Sequence, residues 1–182
     1  MLVEILYFSC VFRCAFGVFQ CTSIPLFAPI VPVSEFEQRY KGFKPAKMDS
    51  KYRVSIQPAW RPEQGRPLFL LFSKDYDMPV VKALSEAAYA ERVQIINESN
   101  KTPAEKGKML GKLAMLCREV TLNDQGKLLV PKDLSEKASI AADSEIMLAG
   151  RGTHFQIWSK ANFDKLLEIE TDQQEDDGLG IF

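Results

Sequence analysis

The sequence predicts an α+β protein built from two tandem copies of one strand-rich unit with flanking helices, and three observations carry that prediction. The first is repetition. "MDSKYRVSIQPAW" returns as "LNDQGKLLVPKDL", so that Asp49 matches Asn123, Arg53 matches Lys127 and Ile56 matches Val130, while Ser85 and Tyr89 match Ser159 and Phe163, every pair 74 residues apart. A constant period over so many positions marks a duplicated structural unit. The second is alternation: Val54 and Ile56 alternate with Arg53 and Ser55, and Leu128 and Val130 with Lys127 and Leu129, the period of a half-buried strand. The third is a recurring end signal, since Ser85 and Ser159 both stand where a helix N-cap belongs.

In chain order, each copy reads as a short strand, a turn, a second strand, a brief helical turn, a strand pair and a closing helix. The strand pairs are "PLFLLFS" with "MPVVKAL" in the first copy and "EIMLAG" with "HFQIW" in the second, each pair divided by a turn-rich stretch. Glu86 adds a negative charge to the first turn of the helix that Ser85 caps. Between the copies, "TPAEKGKMLGKLAMLC" opens with Thr102, Pro103 and Glu105, a capping box with Pro at the first helical position. Met109, Leu110, Leu113 and Ala114 share one face of this helix, which predicts that it packs one unit against the other. Lys106, Lys108 and Lys112 form its solvated side.

These elements divide the chain into an apolar extension (1–38), a first unit (39–97), a linking helix (98–115), a second unit (116–167) and an acidic tail (168–182). The extension resembles neither a signal peptide nor a clean spanning helix: Glu4 precedes its apolar run, Arg13 interrupts it, and Pro25, Pro29 and Pro32 would break a helix. The expectation is that translation starts further in, near Val31 or Val33, with a weak membrane anchor as the alternative if the segment is made. The folded part is then expected in the cytoplasm, at the nucleoid.

The chain has 23 basic and 24 acidic side chains, a formal charge of -1, which excludes a globally basic DNA-coating protein. The distribution is more telling than the sum. The tail carries -6 and in the first 33 residues Glu4 and Arg13 cancel, leaving +5 on residues 34–167. Arg39, Lys41, Lys44, Lys47, Lys51, Arg53 and Arg61 face a single acid in their stretch, Asp49. Such a patch on a near-neutral protein is a candidate polyanion site.

From about residue 40 to 170 the chain resembles the MraZ family of bacterial transcriptional regulators. "YKGF" is similar to the family's aromatic-x-Gly opening, "DSKYRVSIQPAWR" to its first Asp-x-x-x-Arg block, and "LNDQGKLLVP" and "FQIWSKANF" to its second block and C-terminal Trp motif. The resemblance implies two AbrB/MraZ-type swapped-hairpin β-barrel units and a ring-like homo-oligomer. It also implies binding to double-stranded DNA at short G-rich direct repeats upstream of division and cell-wall genes. The sequence departs from the family pattern at Tyr52, where a turn glycine is expected, at Gln57, where a proline is expected, and at Asn123 and Lys127 in place of a second Asp and Arg.

The residues make such binding physically sensible. An Asp opening a tight turn accepts backbone N–H bonds, and the basic residue four positions on emerges at the foot of the next strand. Asp49 and, in the second copy, Asn123, Asp124 and Gly126 are therefore the expected turn organisers. Arg53 has a forked donor array suited to a guanine edge, and Lys127 a compact charge suited to phosphate; Lys51, Lys47 and Lys44 are supporting phosphate candidates. The bland alternative is an Asp49–Arg53 pair closed across the turn, of little energetic weight at an exposed site. Tyr52, bulky at a position that favours glycine, implies either a different turn or a strained one.

Other chemistries find little footing. There is one histidine, His154, no glycine-rich phosphate loop, no Cys-x-x-Cys pair, and of four cysteines Cys117 alone falls outside the first 33 residues. An enzyme is not expected, nor a metal or organic cofactor. Trp60 and Trp158 follow apolar strands and read as core anchors. The rival function is an AbrB-type interaction module, antitoxin-like or scaffolding, without specific DNA readout.

Overall fold

The computed structural model describes residues 40–172. The apolar extension and the last ten residues of the acidic tail lie outside the described residues, and with them the anchor and start-site expectations.

The fold is α+β, an antiparallel arrangement of strands with four α-helices among the described residues. The first copy supplies β1 (Phe43–Lys47), β2 (Arg53–Ser55), a 3-10 turn (Pro58–Trp60), β3 (Leu68–Asp75), β4 (Met78–Leu84) and α1 (Glu86–Glu98). After α2 (Pro103–Leu116), the second supplies β5 (Cys117–Val120), β6 (Lys127–Leu129), α3 (Lys132–Lys137), β7 (Glu145–Gly150), β8 (His154–Ser159) and α4 (Lys160–Asp172).

The copies are exchanged through one another. The main sheet runs β1-β7-β8-β4-β3-β5, so β1 of the first copy pairs with β7 of the second, and β5 of the second pairs with β3 of the first. The two hairpins meet at the centre, where β4 lies against β8 with Lys82 opposite Gln156. β2 and β6 form a separate two-stranded ribbon. This is the exchanged-hairpin arrangement of AbrB-like units, with a pseudo-twofold axis through the Lys82–Gln156 and Val54–Leu128 pairs.

Strand alternation gives the sheet two faces. One face packs Leu68, Leu70, Val81, Ala83, Ile146, Leu148, Phe155 and Ile157 against Val54, Ile56, Trp60, Leu128, Val130, Leu134 and Ile140 from the ribbon and the short helices. The other face carries a smaller cluster in which Val80, Met147, Ala149 and Trp158 receive Phe163 and Leu166 of α4. Both tryptophans are buried, as anchors of the two clusters. Phe69 stacks on Tyr89 of α1, with ring centroids 4.6 Å apart, and Phe43 meets Phe163 of α4 at 5.2 Å.

Ser85 caps α1, its hydroxyl accepting from the Ala88 N–H at 3.2 Å, whereas Ser159 ends β8 and α4 follows directly from Lys160. The capping box of α2 is complete: the Thr102 hydroxyl accepts from the Glu105 N–H and the Glu105 carboxylate from the Thr102 N–H. The expected packing of α2 between the units is corrected. None of its residues is fully buried, its main neighbour is α1, and Met109 and Met115 are exposed. The physical reason is that exchange of the hairpins already joins the copies, leaving the helix only to bridge α1 to β5. Lys106 is not purely solvated either; its ammonium donates to the Asn97 carbonyl at 2.7 Å, at the C-terminal end of α1.

Candidate nucleic-acid interface

The ribbon begins in each copy with the same turn. The Asp49 carboxylate oxygen Oδ1 accepts from the Lys51 and Arg53 N–H groups at 2.9 and 2.8 Å, and Asn123 Oδ1 from Gln125 and Lys127 N–H at 3.1 and 2.8 Å. Backbone bonds repeat as closely: Tyr52 N–H to Asp49 carbonyl at 3.0 Å, and Gly126 N–H to Asn123 carbonyl at 2.8 Å. Tyr52 adopts φ 56° where Gly126 adopts φ 72°. Of the two outcomes open at Tyr52, the turn type is therefore kept, and a non-glycine residue is held in the left-handed region. In the second turn the bonds run through Asn123; Asp124 is exposed and makes no hydrogen bond among the described residues, which corrects its expected organising part.

The turns lie at opposite ends of the ribbon because its strands are antiparallel. Arg53 faces Leu129, Val54 faces Leu128 and Ser55 faces Lys127. Flanking bonds from Val130 N–H to the Tyr52 carbonyl at 2.9 Å and from Ile56 N–H to the Gly126 carbonyl at 3.0 Å extend the ladder. Val54 and Leu128 are fully buried, so Arg53, Ser55, Lys127 and Leu129 make up the outer face. A two-stranded ribbon of this kind fits the major groove of B-form DNA.

The two cations are held differently. Asp49 Oδ2 accepts from both Nε and Nη2 of Arg53 at 2.8 Å, so the bland pairing across the turn does form. The pair is part-exposed, with 36% of the Arg53 and 29% of the Asp49 side chain accessible. Desolvation acts to raise the Asp49 carboxyl, but the N–H groups of Arg53 and Lys51 and the guanidinium outweigh it and hold the group below its ordinary value. The pairing leaves Nη1 of Arg53 for another acceptor. Lys127 stands over Asn123, which has no charge to hold it.

Among the described residues, the ammonium groups of Lys44, Lys47, Lys51 and Lys127 make no ion pair or hydrogen bond. Their positions differ. Lys51 is exposed in the first turn, beside Arg53. Lys44 shares a strand face with Ala46 and Met48, turned toward the ribbon layer, while Lys47 lies on the opposite face of β1, across from Glu145. Lys51 thus joins the ribbon edge, Lys44 flanks it, and Lys47 sits least well.

Arg61 braces the second turn. Its Nε donates to the Ile56 carbonyl at 2.8 Å, and its guanidinium covers Gly126 so closely that a β-carbon there would lie 2.2 Å from Cζ. Sequence reading counted Arg61 only as part of the basic stretch. The alternation that buries Val54 and Leu128 already places Ser55 and Leu129 on the outer face, but the charge pattern singles out neither as a site residue.

His154 opens β8, with Nε2 buried and unpartnered among the described residues. Burial, then the charges of Arg92 and Lys82, push its pKa down to about 4. Burial likewise raises the Cys117 thiol. Neither group is poised for proton transfer or nucleophilic attack near neutral pH.

Comparisons with known proteins point to one family. The family model described as "MraZ protein, putative antitoxin-like" matches residues 113–178. The chain is similar to a protein named "Transcriptional regulator MraZ" of Mycoplasmopsis pulmonis, 25% identical over 127 residues, 70% of this chain and 83% of that protein. The protein of the same name from Maridesulfovibrio salexigens is 26% identical over 147 residues, 76% of this chain and 93% of its own. That of Solidesulfovibrio magneticus is 43% identical over a shorter 49 residues, 27% of this chain and 31% of its own.

Proposed function

We propose that the chain is a member of the MraZ family, whose similar relatives are named transcriptional regulators, and that it regulates transcription by binding double-stranded DNA through the β2–β6 ribbon. The family is one of regulators, not enzymes. The observation that carries the reading is the pair of equivalent turns, which set Arg53 and Lys127 on one outer face, each at the foot of its strand. Arg53 reads a guanine edge, and Lys127 and Lys51 anchor phosphate. Lys44 lends positive potential, and Lys47 contributes less because of its strand face.

One ribbon offers few cations, and each neutralised phosphate contributes a salt slope of roughly 0.9. Self-association, in a ring or otherwise, offsets this by presenting several ribbons to tandem G-rich repeats, with an avidity gain of roughly 10² or more. The regulator then works in the cytoplasm, at the nucleoid, on repeats upstream of division and cell-wall genes. Among the described residues no helix is long and apolar enough to cross a membrane.

The experiment is fluorescence anisotropy of the full chain, wild type and Arg53→Ala, on tandem G-rich repeats and a scrambled duplex across a salt series. The expected result is specific, salt-sensitive binding that Arg53→Ala abolishes on the repeats. Equal weak binding to both duplexes, unchanged by the substitution, would instead favour a second reading, a protein-interaction module of the antitoxin-like kind. The observation on its side is the exposed apolar set Ile95, Met109 and Met115 on α1 and α2.

A further inference from the structure

Leu129 is out of character with the rest of the ribbon's outer face. It is 52% exposed, yet it stands between two cations on a strand whose other two side chains are either buried or charged. Its equivalent in the first copy, Ser55, is polar. The register fixes its neighbour: because Tyr52 with Val130 and Ile56 with Gly126 are joined by backbone bonds, Arg53 and Leu129 form a non-hydrogen-bonded pair. Side chains of such pairs approach most closely across a ribbon, with β-carbons about 4.5–5.5 Å apart.

We infer that Leu129 is a specificity-determining residue that packs on the 5-methyl group of a thymine next to the guanine read by Arg53. The inference rests on the proposal that the ribbon enters the major groove. There the thymine methyl is the one apolar group a base pair displays, and apolar side chains are what recognise it. Two side chains about 5 Å apart span a step of the duplex, about 3.4 Å per strand. The arrangement is rigid on both sides: Asp49 fixes Arg53, and the fully buried Leu128 and Val130 fix the strand that carries Leu129. The other end of the ribbon pairs Ser55 with Lys127 and has no apolar group, so it does not read a methyl. The two copies, alike in backbone, thereby present one base-reading end and one phosphate-holding end.

The test begins by selecting sites for the full chain from a randomised duplex library, then replacing each thymine of the selected site by deoxyuridine, one at a time. Deoxyuridine removes the methyl and keeps the pairing. Anisotropy with wild type, Leu129→Ser and Leu129→Ile measures each duplex, and sedimentation velocity follows assembly. In wild type, one replacement beside the Arg53-dependent guanine weakens binding roughly fourfold, the change expected for losing one buried methyl-sized group. Leu129→Ser weakens the thymine duplex by a similar factor and no longer distinguishes it from the deoxyuridine duplex; Leu129→Ile still does.

A flat deoxyuridine scan for a wild-type protein whose specific binding still needs Arg53 overturns this inference alone. Sensitivity that survives in Leu129→Ser overturns it too. A flat scan in which Leu129→Ser changes the sedimentation coefficient gives the residue to an interface between copies instead. Absence of any specific, Arg53-dependent binding brings down the ribbon reading together with this one.

Discussion

Tyr52 and Gly126 hold the same left-handed turn position, 74 residues apart, with φ of 56° and 72°. The positions are equivalent in backbone and opposite in tolerance. At Tyr52 a side chain is already accommodated and rests against the core. At Gly126 a β-carbon would collide with the Arg61 guanidinium. Gly126→Ala should therefore cost about 2 kcal/mol in urea unfolding. Tyr52→Gly should move stability by less than about 1 kcal/mol, because relief of the left-handed strain offsets the lost ring contact. Equal effects of the two would mean that Arg61 gives way freely and does not brace the turn.

Asp49→Asn tests what the negative charge adds, since Asn123 shows that an amide oxygen closes the same turn. The variant should fold with nearly unchanged stability, as expected for a part-exposed pair. Freed from its partner, Arg53 should bind non-specific DNA several-fold more tightly while the ratio of specific to non-specific affinity falls. The pH profile gives a second readout. Because the folded carboxyl is held below its ordinary value, its contribution is present above the usual Asp range and lost as pH falls through the lowered value. That acid-side loss should be missing in Asp49→Asn.

His154 should make the fold sensitive to mild acid. Its folded pKa, about 4 against an ordinary 6.5, means that the unfolded chain takes up the proton first. The stability it contributes is complete above pH 6.5 and drains away toward pH 4. In urea titrations at stepped pH, His154→Gln should flatten the slope across that window. A slope unchanged by the substitution would assign the sensitivity to carboxylates instead.

Gln156 is the polar hub of the helix-covered face. It is buried; its carbonyl accepts from Trp158 Nε1 at 2.9 Å and Arg151 Nε at 3.1 Å, and its amide donates to Asp75 at 2.5 Å. Asp75 in turn pairs with Lys82 at 2.7 Å, and Arg151 with Glu170. Gln156→Leu leaves the buried indole N–H without an acceptor and should cost about 1–3 kcal/mol. Thermal unfolding with and without the further change Trp158→Phe checks the cause, since removing the donor should recover part of the loss.

Much of this molecule was legible in its residues, and the exceptions have physical causes. The turns were readable because Asp49 and Asn123 bond to N–H groups within four residues, a local interaction that spacing encodes. The strands of both hairpins were readable for the same reason. Exchange was legible only through the family resemblance, which implies swapped hairpins: nothing local in Phe43–Lys47 says that its partner is β7 rather than β3, because pairing is set by which edges remain open. The pairing of the part-exposed Glu170 with Arg151 also escaped the charge count, which placed that residue in an acidic tail although α4 continues to Asp172. The mismatch between Arg53, clamped by Asp49, and Lys127, unclamped, was half legible, since the sequence named the residues but not the bidentate grip on one oxygen.

The exchange of hairpins also sets a timetable for synthesis. β1 leaves the ribosome with its partner β7 still roughly a hundred residues away, a wait of about 5–20 s at ordinary elongation rates of about 5–20 residues per second. Throughout that interval the nascent chain carries an open strand edge. Pro45, which removes a donor from the strand, and Lys44 and Lys47, which charge it, are the features of β1 that discourage a neighbouring nascent chain from taking β7's place.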